Sequence, residues 1–172
     1  LDVLRQIKNP KFTACDTMNL WINQKKDKVL EVMKNTNMVF INDAEARQLC
    51  ETYSLPAAAK HILNLGPLVV IIKKGEHGAL LYTKEIVFSL PGFPLEEVKD
   101  PTGAGDTFAG CLMGFLAETG KVTPGNLKKG IVYASVMASY NVEDFSLDKM
   151  SKLKSVDIEW RYEAFKNLTS FE

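Results

Sequence analysis

The sequence lacks the means for several whole classes of function. Its three cysteines, Cys15, Cys50 and Cys111, are odd in number, widely separated and never arranged as Cys-x-x-Cys. That argues against a disulfide framework or a zinc site and for a reducing, cytoplasmic setting. Charge of neither sign is in excess, because 21 Lys and Arg balance 21 Asp and Glu, so nothing favours nucleic acid as a partner. No apolar run is long enough to span a membrane, and no membrane partner is expected. There is no Gly-Lys-Ser/Thr and hence no Walker A loop, and neither an internal repeat nor a low-complexity linker is found. No secretory leader is read, and the chain opens on Leu1 with Leu4 and Ile7 at helical spacing, as though entered in mid-helix. The 172 residues, 46% of them hydrophobic, suffice for one domain with a sizeable core.

Strands and helices alternate along the chain. Phe12 to Cys15 reads as a short strand whose C-terminal end carries Asp16-Thr-Met-Asn-Leu-Trp21. Open α/β sheets place ligand residues at such ends, although Asp16 and Asn19 could simply cap a turn with Trp21 in the core. A charged amphipathic helix follows over Lys25 to Lys34, then a strand over Met38 to Ile41. Asn42 and Glu45 then have the spacing of a capping box at the start of a helix through Cys50. Pro56 to Leu65 reads as a helix stopped by Gly66, and Leu68 to Ile72 as a strand covered on both faces. Lys73-Lys-Gly-Glu-His-Gly78 turns that strand back into Ala79 to Tyr82. His61 reads as a polar or half-buried helix position, and Glu76-His77 as exposed, with no second histidine or cysteine at metal-ligand spacing. Glu85 to Leu90 is a further short strand, and Phe93 to Val98 an extended lead. A helix beginning at Thr123-Pro124 and running through Ala138 is rich in small residues that allow close packing. Phe145, Leu147, Ile158, Tyr162, Phe165 and Leu168 supply apolar faces of terminal helices, as core or docking surface.

The chain is organised around Lys99-Asp-Pro-Thr-Gly-Ala-Gly-Asp-Thr-Phe-Ala-Gly110. Asp100-Pro101 ends an extended segment, Gly103 and Gly105 permit a tight turn with φ > 0, and Thr107 to Glu118 reads as an apolar helix closed by Gly120. The turn thus empties into a helix N-terminus, where unpaired N–H groups and the positive end of the dipole favour an anion, a phosphate above all. Asp106 stands there as the single carboxylate, able to take a proton from a hydroxyl beside that phosphate. A capping turn with Asp106 as its acid is the plainer alternative. A dinucleotide fingerprint is disfavoured by Phe108, which occupies the place of its third small residue, and by Pro101.

Residues 100 to 110 resemble the C-terminal signature of the ribokinase-like (PfkB) carbohydrate kinases. The resemblance covers roughly residues 12 to 150 and implies an α/β fold, namely the C-terminal part of a three-layer α/β/α domain with a mostly parallel central sheet. On that likeness Gly103, Ala104 and Gly105 form the anion hole and Asp106 is the catalytic base. Asn42 and Glu45 match the Asn-x-x-Glu motif that orders magnesium, water and nucleotide phosphates, with Glu45 acting through water and no direct metal ligand. Gly75, Gly78 and Thr102 join the nucleotide-binding set, and the helix after Thr123 walls the adenine site. Cys111 departs from the pattern, since many members have glycine there. The resemblance implies ATP and Mg2+ as cofactors and a small sugar or nucleoside as acceptor. It also leads one to expect that the N-terminal acceptor-binding part and lid of such kinases are absent from this chain. The first strand would then be an open edge and a homo-oligomer one outcome. A nucleotide-binding or interaction module without catalysis is the alternative function.

Overall fold

The computed structural model describes residues 1–170 and divides into two compact units, Leu1–Gly75 with Ala79–Ser89 and Glu76–Gly78 with Leu90–Glu172. In the first unit a short helix α1 (Asp2–Gln6) precedes β1 (Ala14–Cys15), α2 (Asn19–Lys34), β2 (Met38–Asn42), α3 (Asp43–Cys50), α4 (Leu55–Leu65) and β3 (Val69–Lys73). The hairpin partner β4 (Ala79–Tyr82) and the strand β5 (Val87–Leu90) complete a sheet of order β1-β2-β3-β4-β5. β1, β2 and β3 run parallel and β4 turns back antiparallel to β3, so the sheet is mixed, its parallel part and its one hairpin being those the sequence leads one to expect.

Alternation along β2 and β3 sorts the side chains onto two faces. Val39, Ile41, Val70 and Ile72 meet Ile22 and Met33 of α2, Ala46 and Leu49 of α3, and Ala58, Ala59 and Ile62 of α4 in one buried cluster. Met38, Phe40, Val69 and Ile71 of the other face are buried as well, as the unbroken β-branched run of β3 requires. Ser54 starts α4 by accepting a hydrogen bond from the Ala57 N–H, with Pro56 in the first turn. Truncating a buried Ile of this cluster to Ala would cost about 2–5 kcal/mol.

The second unit is built on α5 (Ala104–Thr119), α6 (Pro124–Asn141) and α7 (Ser155–Thr169), with a 3-10 turn at Met150–Lys152 between α6 and α7. Small residues do bring α5 and α6 together as expected. A Cβ on buried Gly130 would lie 2.6 Å from Cδ1 of Leu112 and 2.9 Å from Cδ1 of Phe115. Phe165 of α7 is fully buried, its ring 5.5 Å from that of Phe93.

Several boundaries differ from the sequence reading. The first strand shrinks to Ala14–Cys15, because the main chain at Thr13 instead bonds the Asn37 side chain and accepts from the Asn37 and Met38 amides. α2 begins at Asn19 rather than Lys25, with non-helical angles at Lys25 marking a kink. Neither Asp16 nor Asn19 caps it. Trp21 is 44% exposed rather than core, since Ile22 takes the inward position on that turn. Phe145, Leu147 and Leu168 are exposed and contribute no core.

Candidate functional site

Around the central motif, the turn is made by one glycine, not two. Gly103 is the N-cap of α5 with φ 82°, a left-handed conformation that glycine adopts without strain. Gly105 lacks a positive φ and lies inside the first helical turn, so α5 starts three residues earlier than the sequence suggests. The physical reason is that one left-handed residue already reverses the chain after Pro101, and the next can go straight into the helix. Asp100 sets the turn up, its Oδ1 accepting from the Thr102 N–H at 2.9 Å. Its carboxyl is held below the usual range by the side chain and N–H of Thr102.

The first backbone bonds of α5 decide which donors remain. The Thr107 N–H donates to the Gly103 carbonyl at 2.8 Å and the Ala104 N–H to the Pro101 carbonyl at 3.3 Å. No acceptor among the described residues takes the N–H of Gly103, Gly105 or Asp106. Asp106 is exposed in that first turn and caps nothing, and its carboxylate has no hydrogen bond or ion pair among the described residues. A set of open amides and a carboxylate without a partner can receive an anion and a proton side by side.

In the first unit, Asn42 ends β2 and starts α3 through a complete capping box. The Glu45 N–H donates to Asn42 Oδ1 at 2.8 Å, and the Asn42 N–H donates to Glu45 Oε2 at 3.0 Å. Glu45 is only 6% exposed. Burial pushes its carboxyl pKa up; the Asn42 N–H opposes this, Asp16 adds to it, and Lys73 and the Asn19 main chain work against it. Lys73 was not singled out by sequence reasoning, yet it is the last residue of β3, lies in register beside Asn42 and forms an ion pair with Asp16. A lysine closing an otherwise apolar strand was the available signal.

The two glycines of the hairpin turn differ. A Cβ on Gly75 would meet nothing within 4 Å, so that face of the turn is open. Gly78, with φ 87°, is instead packed by its own chain, because a Cβ there would lie 2.1 Å from the Leu90 carbonyl oxygen. Thr102 is exposed beside the Gly103 turn. No group of three or more His, Cys, Asp or Glu that could hold a metal is found among the described residues. No described helix is long and apolar enough to cross a membrane. The three cysteines are free, with burial pushing Cys50 and Cys111 up to about 11.

Set against known proteins, this arrangement has a clear kinship. The model of the pfkB family carbohydrate kinases matches residues 2–152, and the chain belongs to that family. The cytidine kinase of Thermococcus kodakarensis is 35% identical over 96 residues, which are 55% of this chain and 33% of that protein. Ribokinase from Thermotoga maritima superposes with a TM-score of 0.73 at 23% identity, covering 97% of this chain and 52% of that one. Aminoimidazole riboside kinase from Salmonella enterica, solved with aminoimidazole riboside and an ATP analogue, gives a TM-score of 0.72 at 25% identity over 90% of this chain and 52% of that one. The fold is therefore ribokinase-like, and the chain spans about half the length of those solved structures and a third of that curated relative.

Proposed function

We propose that this chain carries the nucleotide-binding and catalytic part of a kinase that transfers the γ-phosphoryl of ATP to a hydroxyl of a small sugar or nucleoside. The observation that carries the reading is the partnerless Asp106 carboxylate among the open N–H groups of Gly103, Gly105 and Asp106. In the reaction the acceptor oxygen bonds to the γ-phosphorus, the bond to the bridging oxygen of ADP breaks, and the hydroxyl proton passes to Asp106. Charge spread over the phosphoryl oxygens falls on the Gly103–Gly105 amides. The Ala104 amide would have to exchange its 3.3 Å bond to Pro101 for that purpose, while the other two are open.

Thr102 and Gly75, both exposed, are assigned to the nucleotide, and Gly78 supports the same turn through its packing on residues 90–92. Magnesium is assigned to Glu45, acting through water, with the amide oxygen of Asn42 beside it. A hard cation that keeps its waters and rides on the phosphates suits such a site. It would neutralise phosphate charge, and Glu45 would hold one of its waters. A reducing compartment fits the three free thiols.

A transfer assay from radiolabelled ATP to ribose, fructose, ketodeoxy sugars, cytidine and adenosine tests the reading. Label on one acceptor, lost in Asp106→Asn, is the expected result. Binding of Mg·ATP with transfer to none, in the longest protein that contains this chain, would favour a non-catalytic nucleotide module.

A further inference from the structure

Arg161 belongs to α7, which lies beyond the residues matched by the family model. It is 7% exposed, and its guanidinium lies 3.4 Å from the centroid of the Tyr140 ring and 5.0 Å from that of Phe93. One arm donates to Ser139 Oγ at 3.0 Å and the other to Glu143 Oε1 at 2.5 Å. Lys149 holds the second oxygen of Glu143 at 2.9 Å. A planar, two-armed cation seated between rings fixes its partner far more tightly than an exposed ion pair does.

The neighbours of Glu143 lead directly to the phosphate turn. The Val142 carbonyl accepts from the Lys99 N–H at 2.9 Å and from the Asp100 N–H at 3.3 Å, and Asp144 Oδ1 receives the Lys99 ammonium at 3.4 Å. Asp100 in turn receives the Thr102 N–H, and Gly103 follows. On the same stretch, buried Asn141 donates to the Ser146 carbonyl, and its Oδ1 would stand 3.6 Å from a Cβ on Gly103. Residues 142, 143 and 144 are thus tied alternately to the lead into the turn and to α7. Sub-ångström errors in an anion cradle weaken it, because its amides act only when aimed at the charge.

We infer that Arg161 is a positioning residue for phosphate binding: through Glu143 it fixes the 142–144 main chain, which holds Lys99 and Asp100 and so aims the Gly103–Asp106 turn. This role rests on the kinase reading. The alternative is that Arg161 only stabilises α7.

The test uses the full chain with Arg161→Lys, which keeps the charge but loses the fork, and Glu143→Gln, which keeps the shape but loses the charge. Two quantities are measured below the melting temperature, hydrogen exchange at single amides and calorimetric affinity for Mg·ATP. The Lys99 and Asp100 amides are expected to exchange about tenfold faster in both variants, with Leu112 and Leu116 of α5 unchanged. The dissociation constant for Mg·ATP should rise about tenfold, and more in Arg161→Met if that variant folds. Variants that melt earlier but keep both the 99–100 protection and the wild-type affinity would overturn the inference and leave the kinase reading standing. A wild-type chain without affinity for Mg·ATP would instead remove the nucleotide reading, and this role with it.

Discussion

A Cβ on Gly78 would lie 2.1 Å from the carbonyl oxygen of Leu90, closer than any real contact, and one on Gly92 would lie 2.0 Å from the carbonyl oxygen of Glu76. The two glycines let main chain pass against main chain, and neither obstacle is a flexible side-chain tip. Gly75, three residues before Gly78, has no such neighbour.

This contrast separates two roles that look identical in the sequence. Gly78→Ala combines backbone overlap with a disfavoured φ of 87°, and should destabilise the chain by about 2–4 kcal/mol in denaturant unfolding. Gly75→Ala meets open space and only the φ of 56°, so its cost should be about 1 kcal/mol. If Gly75 faces the nucleotide, its variant will bind Mg·ATP more weakly while staying folded. Equal stability loss in both variants would contradict the packing described for Gly78.

Asp106→Asn should lower turnover by about 10²–10⁴ while leaving affinity for Mg·ATP nearly intact, because the change removes a proton acceptor but not an amide donor. No folding penalty is expected, since the carboxylate makes no hydrogen bond among the described residues and is exposed. Steady-state kinetics and a thermal melt on the same preparation check both halves. Near-normal turnover would remove Asp106 from the mechanism.

Gly105 calls for a different argument from the one its sequence suggests. Its φ is not positive, so Gly105→Ala brings no left-handed strain, and alanine suits a helix better than glycine by up to about 1 kcal/mol. Stability should therefore hold or rise. Affinity for Mg·ATP should fall, because the added methyl stands beside an amide that a phosphate oxygen must reach. A variant that binds Mg·ATP as the wild type does would move the anion contact away from Gly105.

How much of this was legible beforehand depended on the range of the forces involved. The capping box of Asn42 and Glu45, the Pro56 start of α4, the buried run of β3 and the Gly120 stop of α5 are local, and spacing alone reveals them. The family signature likewise lies in one local stretch, residues 100 to 110, and is read without any distant contact. What spacing could not show was set by contacts distant in sequence: the packing of Gly78 on Leu90, the Lys73 ion pair with Asp16, and the tie from Arg161 through Glu143 to Lys99. Trp21 was misplaced because apolar character does not say which of two adjacent residues, Trp21 or Ile22, a helix turns inward.

Glu45 offers the sharpest separation of a capping role from a cation-ordering one. Its carboxyl pKa is raised above its ordinary value, chiefly by burial. For a group whose folded pKa is raised, the stability contribution is fully present below the unfolded value, about 4.3, and is lost as pH rises through the folded value. Ionised Glu45 is thus a cost to the fold at neutral pH. Gln at this position keeps an oxygen for the Asn42 N–H and so preserves the box, but carries no charge to desolvate. Relative to wild type, Glu45→Gln should gain thermal stability as pH rises from 4 to 7.5. The same variant should need several-fold more magnesium for half-maximal activity, because an amide oxygen orders a cation's water more weakly than a carboxylate. Melts across that pH range, with magnesium titrations of turnover at pH 7.5, give both readings. A gain in stability with an unchanged magnesium requirement would leave Glu45 a helix cap and nothing more, and a loss of stability at high pH would contradict the raised pKa itself.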